Sequence, residues 1–508
     1  MSAKSWGSKL LSAAGDSRKV FSLALLIAGF CSLSHVFFLT DIYRDTAHVY
    51  AVFTRSIGEG NFAEGIATQV PMLNITLAGL LAYCGVEAVK ALTLVAGIFY
   101  LATCFPLRKL LERYVSPLAA AWGCVLYVSA PKMIRFACAP LLDSARIFFL
   151  IAAILYFLRS SEEPKIKNAV LFGISAGFMA AARGEGIITT AALLGGYWLF
   201  LLIFRSNVQW KKQFIMLPTA MICTMAALAP FCAMNYSQSG YFTPDARMVS
   251  YIKRALAKPA PKKATAPAPE KPGEAKFVSY SKDLSDKKDL GHDLSCFVRG
   301  SYELYLALAA LGLLLLIKRK QMSSDYWLFA GVSLIQFAVY MATVSAQRYY
   351  LFLIPLFMMF TLTGADFIRR QIIKYVPCKL HIFCAIGVAA ILLGQIANGV
   401  KRAYSSKGKD FQAAGKWIAE YGKKHFPERK LIIFAPQMTE TAYWSGALHT
   451  DGYEKKQNDP ATFKDFDLAV VHRKHSFGME KRTDLERIPN TPHSKNIWIF
   501  KVKKQENK

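Results

Sequence analysis

Long apolar runs recur along this chain, and each is about as long as a lipid bilayer is thick. A helix of about 20 apolar residues crosses the roughly 30 Å of hydrocarbon in a membrane. The first run extends from Val20 to Thr40. Further runs lie at 87–105, 117–134, 142–158, 168–182, 186–204, 214–233, 301–317, 326–344, 349–366 and 381–398. They predict an α-helical polytopic membrane protein with about eleven transmembrane helices.

The charge of the chain fits the same class. Hydrophobic residues make up 54% of the sequence and charged residues only 19%, which is too apolar for an ordinary soluble protein. The formal net charge of +28 alone would suggest nucleic acid as a partner. However, Lys and Arg lie in connectors, one long loop and the tail, and no nucleic-acid fold motif accompanies them. The charge therefore favours membrane lipids as partners and disfavours nucleic acid.

The positions of the basic connectors predict the topology. Basic connectors lie at 108–113, 165–167, 205–212, 318–320 and 369–374. All fall on the side of the N-terminus, which the positive-inside rule makes cytoplasmic in the plasma (inner) membrane. The first 19 residues resemble the start of a signal peptide, but the long run after them, without a small-residue cleavage site, predicts a retained helix. The segments predicted outside are 41–86, 135–141, 183–185, 234–300, 345–348 and everything after 400.

Two outer segments are not membrane spans. Residues 260–276 are rich in Lys, Pro and Ala and have too little apolar surface to order themselves. After a transmembrane domain at 1–400, residues 401–508 are predicted to form a small extracytoplasmic α/β domain. Its segments KLIIFAP, FDLAVVH and NIWIFKV are typical of buried strands.

Several chemistries lack the residues they need. The ten cysteines form no CxxC or Cys/His cluster, so neither a zinc site nor another divalent metal is supported. No phosphate-binding glycine loop or GxSxG motif is present, and no cofactor is predicted. Glycosylation acceptor patterns begin at Asn74 and Asn235. A disulfide on the outer face stays open among Cys84, Cys138, Cys232 and Cys296.

The stretch from Thr40 to Met72 carries a dense group of ionisable residues directly after the first span. From Thr46 onward, apolar residues recur at helical spacing, which predicts a helix lying at the membrane surface. Asp45 lies at its start. An Asp there can cap the first turn of the helix, or it can serve as a reactive carboxylate.

Other ionisable residues lie near the same predicted face: Arg135 and Asp143, Arg183 and Glu185, and Arg348 beside Tyr349. Such groups are costly at membrane depth and commonly mark a site. Simpler roles exist, namely an N-cap for Asp143, a local ion pair for Arg183 and Glu185, and an interfacial anchor for Arg348. Charges of both signs at one membrane face suit a reaction on a lipid-linked phosphate ester.

Five segments in order resemble one family: RDTAHVYAVFTRSIGEGNF, VPML, RFACAPLLDSARIFF, GISAGFMAAARGEG and QRYYLFLIPLFMMF. They look like polytopic GT-C glycosyltransferases, in the branch of protein O-mannosyltransferases and the lipid A aminoarabinose transferase. The resemblance covers about residues 20–370. It implies an enzyme that moves a hexosyl or pentosyl group from a polyprenyl-phosphate carrier to an envelope acceptor and inverts the anomeric carbon. The acceptor class, whether lipid, glycan or protein, stays open.

The resemblance also assigns residues. It implies Asp45 as the base and Asp143 as a second carboxylate for the acceptor or the sugar. Two departures concern substrate contacts: the usual Asp-Glu pair reads Asp45-Thr46, and Gln69 stands where the aminoarabinose transferase has a Lys. For the phosphate, the first candidate is Arg348, because Arg binds phosphate bidentately. Further candidate substrate-binding residues are Arg44, His48, Arg135, Arg183, Glu185 and Tyr349.

Two other functions remain open on the sequence alone. A secondary transporter of an envelope precursor would have two related halves and charges near the membrane midplane. The sequence shows no internal repeat, and its charges cluster near one face. The other possibility is a non-catalytic scaffold of an envelope polysaccharide system.

The topology can be tested with single cysteines at Ser17 and Lys455. A membrane-impermeant thiol reagent applied to intact cells is expected to label position 455 only, since the first lies in the cytoplasm and the second outside. Permeabilised cells serve as the control, in which both positions should react. Labelling of both positions in intact cells would contradict the topology.

Overall fold

The structure is a computed structural model. It describes residues 15–39, 42–43, 45–66, 70–205, 208–246, 290–342, 346–377, 380–403, 406–429, 431–435, 439–446, 448–450, 466–472, 482–489, 491 and 496–503. The predictions for 260–276, Arg44 and Gln69 lie outside these residues. The chain divides into two compact units. The first comprises Met1–Ala67, Met72–Leu155 and Ala365–Lys508, and the second comprises Thr68–Pro71 and Tyr156–Gly364.

The amino-terminal part of the first unit is helical, and local sequence signals start its helices. Its helices are α1 (Ser17–Phe38), α2 (Ala51–Gly58), α3 (Leu73–Tyr83), α4 (Ala88–Ala102), α5 (Cys104–Leu111), α6 (Pro117–Ser129) and α7 (Pro131–Ala137). Asp16 caps α1, since its carboxylate accepts from the amides of Arg18 and Lys19. Ser116 caps α6, whose first residue is Pro117.

Helix α8 (Asp143–Glu162) begins in the first unit and ends in the second. The second unit continues with α9 (Ile166–Ala182), α10 (Gly184–Phe204), α11 (Trp210–Ser239), α12 (Leu290–Gly300), α13 (Glu303–Lys318) and α14 (Asp325–Ala342). A 3₁₀ turn at Gln347–Tyr350 precedes α15 (Leu353–Tyr375), which returns to the first unit. Helices α16 (His381–Ala403) and α17 (Ser406–His425) follow there.

Several of these helices have the length and the apolar surface of transmembrane helices. Six described helices are long and apolar enough to cross a membrane, or up to eight if each bent pair counts as one span. Their outward faces are apolar, as with Leu26 and Phe37 of α1, which are 70% and 68% exposed. Apolar side chains at such exposure fit hydrocarbon better than water. The chain is therefore an integral membrane protein, while the count of about eleven spans stays a prediction.

Two pairs of consecutive helices are sharply bent at their junctions, which apolar content alone does not reveal. The predicted span at 117–134 is broken between α6 and α7, which meet at 62°. Pro131 explains the break, because the residue before a proline avoids the helical region and Ala130 has φ −63° and ψ 122°. Helices α12 and α13 meet at 88°. There Tyr302 has φ 65°, a left-handed conformation that is uncommon for a residue other than glycine.

The carboxyl-terminal residues form a mixed sheet of β1 (Ile432–Phe434), β2 (Leu448–Thr450), β3 (Leu468–His472), β4 (Leu485–Arg487) and β5 (Ile497–Val502). The strand order is β2-β1-β3-β5-β4, with β1 parallel to β2 and β3, and β5 antiparallel to β3 and β4. Alternate residues face opposite sides: Ile433 joins the core that contains Phe411 of α17, and Phe434 joins a second core. The prediction of a small α/β domain with three of these strands is confirmed.

Two surface predictions are tested by burial. Asn74 and Asn235, where the glycosylation patterns begin, are each only 1% exposed. Their side-chain amides donate hydrogen bonds to the carbonyls of Leu141 and Thr243. The patterns therefore do not mark acceptors in this fold. Among the described residues, no disulfide joins Cys84, Cys138, Cys232 and Cys296.

Candidate active site

Asp45 lies at the start of a π-helical turn, Thr46–Tyr50, which continues directly into α2. The side chain of Asp45 makes no capping hydrogen bond, so the capping role is wrong in this structure. The predicted surface helix is present, but its first turn is π-helical. Turns of this kind are rare and occur frequently at functional sites. Half-buried His48 lies within the turn.

Two hydrogen bonds fix this turn beside the segment that leads to Asp143. The buried hydroxyl of Thr46, next to Asp45, donates to the carbonyl of Pro140 at 2.7 Å. The Asn74 amide donates to the carbonyl of Leu141 at 3.2 Å. Asp143 follows in the first turn of α8 and is only 3% exposed. The two predicted carboxylates, far apart in sequence, thus lie on neighbouring segments of the first unit.

Arg135 joins the same group through a residue that sequence reasoning did not single out. Its Nε donates a hydrogen bond to the phenol oxygen of Tyr43 at 3.2 Å. Tyr43 lies two residues before Asp45 in the sequence. Its guanidinium carbon also lies 5.0 Å from the ring centroid of Phe136. The closeness of Tyr43 to the candidate base in the sequence is a signal that could have identified this tyrosine. The first unit therefore gathers Asp45, Arg135 and Asp143 onto contacting segments.

In the second unit, Arg183 lies between α9 and α10, and Glu185 lies in the first turn of α10. Arg183 Nε lies 3.0 Å from Glu185 Oε2, and the two side chains are only 11% and 18% exposed. The local ion pair proposed as the simpler role is therefore confirmed. It does not account for a further contact of Arg183, whose guanidinium carbon lies 4.3 Å from the ring centroid of Tyr349.

Tyr349 brings the predicted residues of the second unit together. The guanidinium carbon of Arg348 lies 5.2 Å from the same ring centroid. The ring of Tyr349 also stacks on the ring of Tyr340, with 5.3 Å between ring centroids and an interplanar angle of 24°. Guanidinium groups are attracted to the electron-rich face of a ring within about 6 Å. Arg183, Glu185, Arg348 and Tyr349 therefore form one cluster of charged and aromatic side chains.

Two further residues that contact this cluster come from an apolar span, and the sequence analysis did not identify them. Tyr340 lies on α14 and is 1% exposed. Gln336, one turn earlier, is fully buried and donates to the Thr189 hydroxyl and to the carbonyl of Glu185. An amide within an apolar run is a recognisable signal, because buried polar groups in a membrane require partners. The bond from Gln336 ties α14 to the turn that carries Glu185.

Close backbone packing sets the position of the turn that carries Arg348 and Tyr349. A Cβ added at Gly300, the last residue of α12, would lie 2.5 Å from the carbonyl oxygen of Gln347 and 2.6 Å from the Cβ of Tyr350. Only glycine allows α12 to approach the 3₁₀ turn this closely.

Comparison with solved structures identifies the architecture. ArnT from Cupriavidus metallidurans bound to undecaprenyl phosphate is similar to this chain with a TM-score of 0.59 and 11% identity over 98% of each chain. Its apo state gives a TM-score of 0.62 at 11% identity, covering 94% of this chain and 97% of that one. This chain has the GT-C fold. No protein-family model and no curated protein matches the sequence.

The GT-C fold extends to a more distant solved structure. The oligosaccharyltransferase from Archaeoglobus fulgidus, in its apo form, gives a TM-score of 0.51 at 13% identity. The similarity covers 85% of this chain and 64% of the oligosaccharyltransferase. The fold implied by the sequence motifs is thus confirmed. The roles of Asp45, Asp143 and Arg348 remain predictions. Among the described residues, no group of three His, Cys, Asp or Glu side chains could hold a metal ion.

The packing at Gly300 makes a prediction about stability. Gly300→Ala forces the 3₁₀ turn away from α12, and overpacking of this kind typically costs about 1–3 kcal/mol of unfolding free energy. We expect a lower midpoint of thermal unfolding for the detergent-solubilised protein. The matched control is Gly331→Ala on α14, where an added Cβ meets no atom within 4 Å. Equal midpoints for the two variants would show that the close approach does not constrain the turn.

Proposed function

We propose that this chain is an inverting membrane glycosyltransferase. It moves a sugar from a polyprenyl-phosphate carrier to an envelope acceptor on the outer face of the membrane. The GT-C fold supports this, because ArnT, similar over 98% of both chains, was solved with undecaprenyl phosphate bound. Acceptor chemistry also has a precedent in the Archaeoglobus fulgidus oligosaccharyltransferase, solved with a tethered acceptor peptide.

The observation that carries the proposal is the setting of Asp45. Asp45 begins the π-helical turn, and the hydrogen bond from the Thr46 hydroxyl to the Pro140 carbonyl fixes that turn beside the Asp143 segment. In the proposed reaction Asp45 accepts the proton of the acceptor hydroxyl while that oxygen attacks the anomeric carbon. The bond to the phosphate oxygen breaks as the new glycosidic bond forms on the opposite face, so the configuration inverts. Asp143 orients the acceptor or the sugar.

The leaving phosphate gains negative charge, and fixed cations stabilise it. Arg348 is the first candidate, because its planar guanidinium binds a phosphate through two parallel hydrogen bonds. Arg183 carries less net positive charge toward a ligand, since Glu185 lies 3.0 Å from it. Arg135 of the first unit is the third candidate. The donor is already activated as a phosphate ester, so the proposed reaction needs no nucleotide and no redox cofactor.

Asp45→Asn tests the base. Asparagine keeps the size of the side chain but cannot accept the proton, and general-base catalysis contributes about 10²–10⁴-fold to rate. We expect the turnover of labelled sugar from polyprenyl phosphate, measured in proteoliposomes, to fall by that factor. Donor binding and the amount of folded protein should stay unchanged, because asparagine keeps the size of the side chain and caps a helix about as well as aspartate does. Wild-type turnover in this variant would move the base to another residue.

Arg348→Ala tests the phosphate contact. Loss of hydrogen bonds to a charged group costs about 1.5–3 kcal/mol, which corresponds to roughly 10- to 150-fold weaker donor binding. We expect the KM for the donor, or its Kd by titration, to rise by that factor, with a smaller effect on kcat. The control is Arg369→Ala on α15, an exposed arginine paired with Asp366. If both variants bind the donor like wild type, Arg348 is not a phosphate ligand.

A further inference from the structure

Tyr443 of the C-terminal domain makes polar contacts with two residues of the amino-terminal helices. It lies on the short helix α18 (Thr439–Ser445) and is only 4% exposed. Its hydroxyl donates to Glu87 Oε1 at 3.3 Å. Its ring lies under the guanidinium of Arg55, with 4.5 Å from the guanidinium carbon to the ring centroid. Both partners belong to the amino-terminal part of the chain, more than 350 residues away.

Each partner lies at one end of a helix. Arg55 is in the last turn of α2, the helix that continues from the π-helical turn after Asp45. Glu87 caps α4, since its carboxylate accepts from the amides of Val89 and Lys90, both at 3.0 Å. Tyr443 therefore connects the end of α2 to the start of α4. Helix α18 also contacts the π-helical turn itself.

The other side of α18 is held by the core of its own domain. A Cβ added at Gly415 of α17 would lie 2.4 Å from the Cβ of Trp444 and 2.7 Å from the carbonyl oxygen of Thr441. Only glycine permits this close approach, so α17 and α18 are in direct backbone contact at this point. Helix α17 in turn packs on the sheet through Phe411. The position of Tyr443 is thus set by the domain as a whole.

The phenol of Tyr443 stays a hydrogen-bond donor at physiological pH. Burial raises the pKa of this phenol above its ordinary value. A neutral hydroxyl can donate to the Glu87 carboxylate while its ring faces the Arg55 cation. The hydroxyl of Tyr443 contacts the cap of α4 and its ring contacts the last turn of α2, and simple burial of an aromatic residue does not require both contacts.

We infer that Tyr443 is a positioning residue for Asp45 and that the C-terminal domain is thereby a working part of the catalytic apparatus. The inference rests on the proposed function. Through Arg55 and the contact of α18 with the π-helical turn, the domain holds the segment that carries the base. Reaction rates fall by up to about 10²-fold when a reacting group is displaced by 1 Å, so this restraint bears on turnover. Donor binding by the arginines of the second unit does not depend on it.

The test compares Tyr443→Ala with Tyr421→Ala in the full-length protein. Tyr421 lies on α17, stacks on Trp417 at 5.1 Å and packs against the domain core, so its loss perturbs the domain without removing a contact to α2. We expect Tyr443→Ala to lower kcat by about 10- to 100-fold, while the donor KM stays within about twofold of wild type. Tyr443→Phe, which keeps the ring over Arg55, should recover most of the turnover. The control variant should keep wild-type kcat.

Hydrogen exchange gives a second measurement that does not depend on activity. Amides of residues 46–58 should exchange faster in Tyr443→Ala and at the wild-type rate in Tyr421→Ala, because only the first variant releases α2. Unchanged exchange in both variants would overturn the inference. If wild-type protein transfers no sugar, the proposed function fails, while the exchange measurement still decides whether Tyr443 positions the segment. A matching loss of kcat in both tyrosine variants would show a role in domain stability only.

Discussion

The hydrogen-bonding requirement of the backbone in lipid organises this molecule. A segment in hydrocarbon must satisfy its own amides and carbonyls, so it forms an uninterrupted helix with apolar side chains. The predicted site residues therefore lie where helices begin, end or break. Asp45 precedes the π-helical turn, and Asp143 opens α8. Arg183 separates α9 from α10, and Arg348 lies in the 3₁₀ turn before α15.

These junctions are held by side chains that are not themselves reactive. Thr46 and Asn74 bond to the carbonyls of Pro140 and Leu141, which lack helical partners of their own at that point. In the second unit Gln336 bonds to the carbonyl of Glu185. A polar group buried without a partner costs about 1–3 kcal/mol, so each bond both stabilises a break and selects one conformation for it. The same logic extends to the C-terminal domain, whose Tyr443 bonds to the capping residue of α4.

The GT-C fold narrows the alternatives without choosing the substrate. A transporter would use paired, related halves around a midplane site, a pattern that the sequence does not contain. The Glu185 carboxylate lies beside Arg183 and offsets part of its charge. The ranking of Arg348 as the first candidate for the phosphate stays a prediction.

The sequence by itself determined the membrane class, the GT-C fold and three strands of the C-terminal sheet, while Asp45 as the base stays a prediction. These follow from local properties: apolar length, alternation, breakers and the order of short motifs. Only the tertiary structure decided whether Asp45 caps its turn, whether Asn74 is exposed, and which arginines share the ring of Tyr349. For the same reason, the sequence analysis did not single out Tyr43, Gln336, Tyr340 and Tyr443. Their roles depend on partners brought close by packing of distant segments. A single sequence can mark Tyr43 and Gln336 as unusual, but it does not show what they contact.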